Sequence, residues 1–244
     1  MSGSCVLFSG GLDSAVLLAL ERESFAPVWP IHVRAGLAWE TAEAATIDRL
    51  LAAPPFAGRI EPLITLSVDM RDVYAANHWA VEGRPPSYHT PDEDVYLPGR
   101  NVVLFGKAGV FCAAAAIARL VIGTLEHNPF PDATPQFREA MQRALSLGLA
   151  HELSIEAPFA GLSKAAVIRR GVALGVPFEL SLSCMNPKRS GQWSAVSDHA
   201  GHRPLATGHY VHCGTCSKCR ERHDAFLEAG VADPTEYVER ANLA

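Results

Sequence analysis

Val6-Leu7-Phe8-Ser9-Gly10-Gly11-Leu12-Asp13-Ser14 decides the fold of this 244-residue chain. An apolar, strand-forming run enters a glycine pair and leaves as a helix, Ala15-Val16-Leu17-Leu18-Ala19-Leu20. Two consecutive glycines reach backbone angles closed to other residues, so several N–H groups can converge on an anion at the positive end of the following helix. Ser9 and Ser14 add hydroxyl donors, which makes Phe8, Ser9, Gly10, Gly11, Leu12, Asp13 and Ser14 a candidate phosphate cradle. No Gly-Lys-Ser/Thr triplet follows, and the three-glycine dinucleotide spacing is missing. The loop is therefore neither of the two commonest nucleotide loops.

Downstream, short β-rich runs alternate with helical ones: strand over 5–9, helix over 13–21, strand over 28–33, helix over 39–51, strand over 60–67. Such alternation predicts an α/β fold, a doubly wound parallel sheet covered by helices on both faces. Residues 69–97 are polar, aromatic and proline-bearing without a clean period, and read as a lid or partner-facing segment. An alanine-rich helix over 101–118 feeds a strand over 120–123 expected at the sheet's middle. Its Gly123 lies where open sheets hold ligands, beyond the strands' carboxyl ends. A helix over 136–146, a strand over 153–157 and a helix over 163–174 capped by Ser163 follow. Residues 187–208 read as a mobile excursion. A helix over 218–227 and another announced by Asp233-Pro234-Thr235-Glu236, with a capping residue, a first-turn proline and a capping-box glutamate, close the chain. The division expected is an α/β unit over 1–183 and a metal-binding region over 184–244 packed on it.

Composition narrows the function classes. With 48% hydrophobic residues the chain supplies a real core, and a formal charge of −5 argues against a free-standing nucleic-acid binder. Apolar stretches end well before about 18 residues and no basic-then-apolar leader is read at the start, so a cytoplasmic protein without a membrane span is expected.

Cys213-Gly214-Thr215-Cys216-Ser217-Lys218-Cys219 sets three thiols at two-residue intervals, and Cys184 lies one loop upstream. Four soft ligands match a tetrahedral zinc ion, and a fully occupied site of this kind is structural. Lys218, Arg220 and Arg222 are expected to offset the excess negative charge. A redox Cys-x-x-Cys pair, an iron–sulfur cluster, and His209 or His212 in place of Cys184 are the competing readings. Cys5 and Cys112 read as small buried hydrophobes.

With both signatures in hand, the chain resembles the QueC family of queuosine-precursor biosynthesis, within the pyrophosphate-loop ATP pyrophosphatase superfamily, over nearly its full length. Phe8 to Ser14 resembles the ATP loop, and Tyr96-Leu97-Pro98-Gly99-Arg100-Asn101 is similar to the family's Val-Pro-Ala-Arg-Asn segment. Pro131-Asp132 with Phe137 echoes its Tyr-Pro-Asp-Cys-Arg-Pro-Glu-Phe motif, and Pro158 with Leu162-Ser163-Lys164 its Pro-Leu…Ser-Lys motif. Ser183-Cys184, the cysteine triplet with Arg222, and the tail Phe226…Ala229-Gly230…Asp233-Pro234-Thr235 complete the order.

The resemblance implies a nucleotide alpha-hydrolase-like fold and an ATP-dependent carbon–nitrogen ligase. Its substrates would be 7-carboxy-7-deazaguanine and ammonia, its product the nitrile 7-cyano-7-deazaguanine, reached through an acyl adenylate and an amide. It further implies ATP, Mg²⁺ and Zn²⁺ as cofactors. Asp13, Ser14, Arg100 and Lys164 are the implied catalytic residues, with Arg100 and Lys164 as cations on the polyphosphate. Ile31, Val33 and Gly123 join the loop in holding the nucleotide, Asp132 and Phe137 hold the heterocycle, and Cys184, Cys213, Cys216 and Cys219 hold zinc. A homodimer is allowed for, with Trp79, Tyr88 and Trp193 as aromatic residues facing a partner or substrate.

The departures lie where substrate would be read. The family's Phe-Asp-Tyr-Gly-Gln-Arg-His-like run is here His32-Val33-Arg34-Ala35-Gly36-Leu37-Ala38-Trp39-Glu40, and the Cys-Arg after Asp132 is Ala133-Thr134. The loop Glu126-His127-Asn128-Pro129-Phe130 is rewritten too. A relative that stops at an amide or acylates another amine, a tRNA-modifying enzyme with the same loop, and a non-catalytic nucleotide-sensing zinc module are the alternatives.

Overall fold

The computed structural model describes residues 3–190 and 208–242. The loop that opens the sequence follows the central strand of a five-stranded, all-parallel sheet. Its strands are β1 (Ser4–Leu7), β2 (Val28–Arg34), β3 (Ile64–Ser67), β4 (Arg119–Val121) and β5 (Ser154–Glu156), in the order β3-β2-β1-β4-β5. This is the doubly wound α/β arrangement expected. The chain runs outward from β1 through β2 to β3, then returns to β1's other side for β4, so the order reverses between β1 and β4. Strand β4 thus lies beside the middle strand rather than being it. Strand β3 starts four residues later than expected, because Pro62 has no N–H to give to a ladder.

Period-two burial sorts the strands onto two cores. Val6, Val28 and Val121 face α1 (Leu12–Ser24) and α2 (Glu40–Leu51). Cys5, Leu7, Ile31 and Leu120 face α4 (Arg100–Ala114) and α5 (Pro135–Leu149), and Cys5 and Cys112 are fully buried there. Helices α6 (Lys164–Ala173) and α7 (Ser217–Ala229) pack on α1's side, with Phe226 buried in the same core as Phe8 and Val16. Arg119 of β4 forks onto Glu21 of α1 with two 3.1 Å contacts, and Ser4 Oγ donates to the same carboxylate at 2.7 Å. A bidentate pair of this kind ties the helix end to the sheet below the loop.

A third core lies at the top. Residues 69–97, expected as a lid, contain the short helix α3 (Trp79–Glu82) and bury Tyr74, Ala80, Val95 and Leu97 around the four cysteines. Tyr88 is buried as well, and does not face a partner as expected. Trp193 and most of the expected excursion lie outside the described residues; its beginning, β6 (Lys188–Ser190), pairs antiparallel with β7 (His209–Val211).

The helix expected after Asp233 does not form. Asp233 accepts from Tyr237 Oη at 2.8 Å, Thr235 Oγ1 accepts from Arg222 Nε at 2.6 Å, and the backbone of Glu236 and Val238 bridges to His212. Asp233 Oδ1 does cap Thr235 N–H at 3.0 Å, but the Glu236 carbonyl and Val238 N–H are taken by His212 instead of by a helical ladder, and the chain runs on as a strap over the cysteine loop. No helix among the described residues is long and apolar enough to cross a membrane.

Candidate active site and metal centre

At the carboxyl ends of β1 and β4, where the strand order reverses, a cavity of about 400 Å³ opens. Gly10 has φ +73°, and a Cβ there would stand 2.8 Å from Ile47 of α2, so the turn requires glycine. Gly11 is the N-cap of α1 and offers no side chain; Leu12 N–H makes a long 3.4 Å contact to Ser183 Oγ, and the Asp13 and Ser14 amides are left without a side-chain cap beside the cavity. Ser9 Oγ accepts from Gly11 N–H at 3.3 Å, and Ser14 Oγ accepts from Ser9 N–H at 3.3 Å. Ser14 Oγ also donates to the Gly11 carbonyl at 3.0 Å, so Ser9, held only by 3.3 Å contacts, is the hydroxyl able to turn toward a ligand, and Ser14 must exchange that bond to do so. Gly123 backs onto Asp13, where a Cβ would lie 3.5 Å away.

Asp13 projects from the first turn of α1. Its Oδ2 lies 3.2 Å from Lys164 Nζ, whereas its Oδ1 is buried with no hydrogen-bond partner among the described residues. Burial pushes this carboxyl up while Lys164 pulls it down. Lys164 stands at the first position of α6, behind a Ser163 cap that accepts from Ala166 N–H at 3.2 Å. A cation is unfavourable at a helix N-terminus, and here Asp13 and Glu221 offset that cost. Glu221 Oε1 accepts from Lys164 at 2.5 Å and its Oε2 from Lys218 at 2.6 Å. Burial alone would raise the Glu221 carboxyl, but the two ammonium groups hold it well below the ordinary range.

Arg100 opens α4 across the cavity, and its Nε is buried without a partner among the described residues. The helix begins after Gly99 at φ +77° without a cap of its own. Asp132 supplies one from another loop: its Oδ2 accepts Asn101 N–H at 3.0 Å, and its main-chain carbonyl accepts Asn101 Nδ2 at 3.0 Å. Asp132 therefore lines the cavity but is in part committed to α4. Ile31 and Val33 reach the cavity from the end of β2. Phe137 is not among the residues that line it. It packs against Phe105 in the sheet's lower core, with ring centroids 6.2 Å apart, because the Thr134 cap starts α5 with that face turned to the sheet.

Three lining residues, His32, Trp39 and Glu43, were given no site role from the sequence, and they join Trp79. His32 Nδ1–H donates to Phe8 O at 3.1 Å, since a carbonyl can only accept; its Nε2 is buried without a partner and burial keeps the ring neutral. Glu43, one helical turn beyond Trp39, is buried in the cavity wall, and burial pushes its carboxyl up to about 7 against the pull of Arg100. Trp39 and Trp79 stack with centroids 5.8 Å apart beside it, and Trp79 thus faces the cavity. The rewritten turn after β2 is held by Glu40, whose carboxylate accepts Ala35 N–H at 2.5 Å and Gly36 N–H at 3.1 Å.

Cys184, Cys213, Cys216 and Cys219 converge behind the cavity, all buried, with every sulfur within 4.8 Å of the others. Measured Sγ–Sγ separations are 3.9 Å (Cys184–Cys216), 3.8 Å (Cys213–Cys219) and 3.5 Å (Cys216–Cys219). A tetrahedron of sulfurs about 2.3 Å from one ion has edges of about 3.8 Å, so the set fits a single ion such as zinc. Thiolates on a cluster of several irons would stand further apart. His209 pairs with Glu236 and His212 accepts from Ser183 N–H, so neither histidine replaces Cys184. Gly214, at φ +80°, passes under the strap so closely that a Cβ would overlap the Glu239 carbonyl.

The basic residues expected beside the thiols are engaged elsewhere. Lys218 holds Glu221, Arg220 donates to the Tyr88 and Thr90 carbonyls, and fully buried Arg222 donates to Thr235, Ser181 and Phe178. Backbone N–H groups of Asn186, Cys213 and Thr215 meet the sulfurs instead, at 3.3–3.4 Å. Short loops wrap amides around thiolates more closely than long side chains can reach.

Residues 3–230 match the family model described as queuosine biosynthesis protein QueC. Proteins named 7-cyano-7-deazaguanine synthase are similar over nearly their whole length. That of Methanoculleus marisnigri is 30% identical, covering 97% of this chain and 99% of its own. That of Anaeromyxobacter dehalogenans is 31% identical with 96% and 95% covered, and that of Thiobacillus denitrificans 32% identical with 96% and 97% covered. With a family model spanning both the loop and the thiols, and relatives aligned end to end, this chain belongs to the QueC family.

Proposed function

We propose that this protein is an ATP-dependent ligase that converts 7-carboxy-7-deazaguanine and ammonia to 7-cyano-7-deazaguanine. The observation that carries the reading is the unpartnered, buried Oδ1 of Asp13 beside two serine hydroxyls and the uncapped start of α1. Hard oxygen donors next to free amides suit a magnesium-bound polyphosphate. The name carried by the relatives of similar length supplies the product, and the acid is the one the family resemblance implies.

A carboxylate is a poor electrophile until one of its oxygens becomes a phosphate-ester leaving group. Attack of that oxygen on the α-phosphorus of ATP forms the acyl adenylate and releases pyrophosphate. Ammonia adds to the acyl carbon, a proton is lost, and AMP departs to leave the amide. A second ATP activates the amide oxygen in the same way, and loss of AMP and two protons gives the nitrile.

The chain's own residues position and neutralise charge. Gly11, Ser9 and Ser14 hold the polyphosphate with N–H and O–H donors, and Ile31, Val33 and Gly123 hold the nucleoside. Asp13 is the residue that would hold Mg²⁺, and the ion would supply charge neutralisation on the polyphosphate. Arg100, with a free buried Nε, and Lys164 stabilise the charge that develops on the transferring group. Asp132 Oδ1 carries only a 3.3 Å contact from Asn101 Nδ2 and keeps acceptor capacity for the donor edge of the heterocycle. Cys184, Cys213, Cys216 and Cys219 would hold Zn²⁺ in a structural part, since four thiolates fill a tetrahedral set.

One observation favours a second reading, an amide-forming relative. Ala133 and Thr134 stand where the family carries Cys-Arg, and the other oxygen of Asp132 is spent on α4. Incubation with 7-carboxy-7-deazaguanine, ATP, Mg²⁺ and ammonium, followed by mass spectrometry of the heterocycle and the nucleotides, separates the two. Nitrile with AMP supports the synthase, amide alone the second reading, and no acid-dependent AMP rejects both.

A further inference from the structure

Glu221 has an unusual position for a group beside a polyphosphate site. Its two oxygens are divided between Lys164 Nζ and Lys218 Nζ, at 2.5 and 2.6 Å, and all three side chains line the cavity. With Asp13, these four groups sum to zero charge, so the two lysines offer a polyanion no net attraction while the carboxylate stays between them. The side chains of Glu221 and Lys218 are about a quarter exposed, which leaves both able to swing. Lys218 lies between Cys216 and Cys219, so the helical turn that closes the four-thiol centre also presents an ammonium group to the cavity.

We propose that Lys218 is a phosphate-binding residue, and that Glu221 is a stand-in anion whose two oxygens occupy the places taken by two oxygens of a pyrophosphate group. On binding, Lys164 and Lys218 exchange the carboxylate for the ligand, and Glu221 turns outward. The ligand chemistry is a pyrophosphate moiety, either the terminal phosphates of ATP or the free ion released from it. This rests on the ATP-dependent reading above and extends it to the metal-anchored helix. One carboxylate bridging two ammonium groups is the spacing a phosphate presents, and a charge-assisted hydrogen bond from a lysine to phosphate replaces one of similar strength.

The test is titration calorimetry with inorganic pyrophosphate, a non-hydrolysable ATP analogue and AMP, on the metal-loaded full chain. Lys218→Met is expected to weaken pyrophosphate and the analogue by about ten- to a hundredfold, with AMP unchanged and Lys218→Arg close to wild type. Glu221→Gln, which removes the competing anion, is expected to tighten both phosphate ligands several-fold. A larger gain for free pyrophosphate than for the analogue assigns the site to the product, and equal gains assign it to ATP's terminal phosphates. Unchanged binding in Lys218→Met overturns the proposal. Weakened binding in Glu221→Gln does so as well, because it would make that carboxylate a positioning group for the lysines. Should Lys218→Met lose its metal, Glu221→Gln leaves both lysines in place and decides alone. A wild-type protein that binds neither pyrophosphate nor the analogue would fail the ATP reading itself, whereas wild-type binding with insensitive variants fails only this inference.

Discussion

Replacing Glu43 by glutamine should stabilise the protein, and by an amount that depends on pH. Glu43 is 8% exposed in the cavity wall, and burial raises its carboxyl from 4.5 to about 7. In the unfolded chain the group ionises near its ordinary value, so from about pH 4.5 upward unfolding releases a proton that the folded state retains. Stability is therefore lost as pH rises between those two values and stays lost above the higher one. A shift of about 2.5 units at ~1.4 kcal/mol each is worth about 3 kcal/mol. Glutamine keeps the shape and carries no charge, so the wild type should fall behind Glu43→Gln by up to about 3 kcal/mol at pH 8, and by little at pH 4.5. For a chain of this size that gap is about 6–12 °C in melting temperature. Thermal unfolding of both metal-loaded proteins from pH 4.5 to 8 measures it, and taking the difference cancels the other titrating groups. A gap that stays flat with pH, or a variant less stable at pH 8, would refute the reasoning, because Glu43 would then be ionised at little cost and paired in the fold.

Other outcomes follow from single contacts. Gly10→Ala meets both a left-handed backbone and the Ile47 side chain, and should cost about 1–3 kcal/mol in urea unfolding. Cys216→Ser, or removal of metal by a chelator, should lower the melting temperature by about 10 °C or more, and equal melting with and without chelator would count against a structural ion. Asn101→Ala strips the buried Asp132 of two donated contacts and should cost about 1–3 kcal/mol, read by the same melt. Asp13→Asn should leave the fold intact by circular dichroism and abolish AMP formation; unchanged turnover would remove Asp13 from the phosphate site.

How far a residue could be read in advance depended on where its partners lie. The glycine turn between β1 and α1 is a local device: Gly10 needs its positive φ and Gly11 its bare N-cap, and both needs are written in adjacent letters. The cysteines were legible for the same reason, since three of the four fall within seven residues. Asp233 to Glu236 had equally local helix signals, and the Asp233 cap forms, yet no helix follows because His212 takes the Glu236 and Val238 backbone groups and Arg222 the Thr235 hydroxyl. Glu221 and Glu43 carried no signal as single acids on amphipathic helices. Only the fold brings Lys164, 57 residues away in sequence, onto Glu221, and only the fold buries Glu43. Phe137 belonged to a motif and still turned inward, since a helix start at Thr134 fixes which face its third residue takes.

The central claim is that the cavity at the β1–β4 reversal joins a carboxylate oxygen to the α-phosphorus of ATP. 7-Carboxy-7-deazaguanine labelled with heavy oxygen in its carboxylate, turned over with ATP and ammonium, tests it most directly by mass spectrometry of the nucleotide. AMP is expected to leave carrying one labelled oxygen. Unlabelled AMP, or ADP with the label in inorganic phosphate, would contradict it.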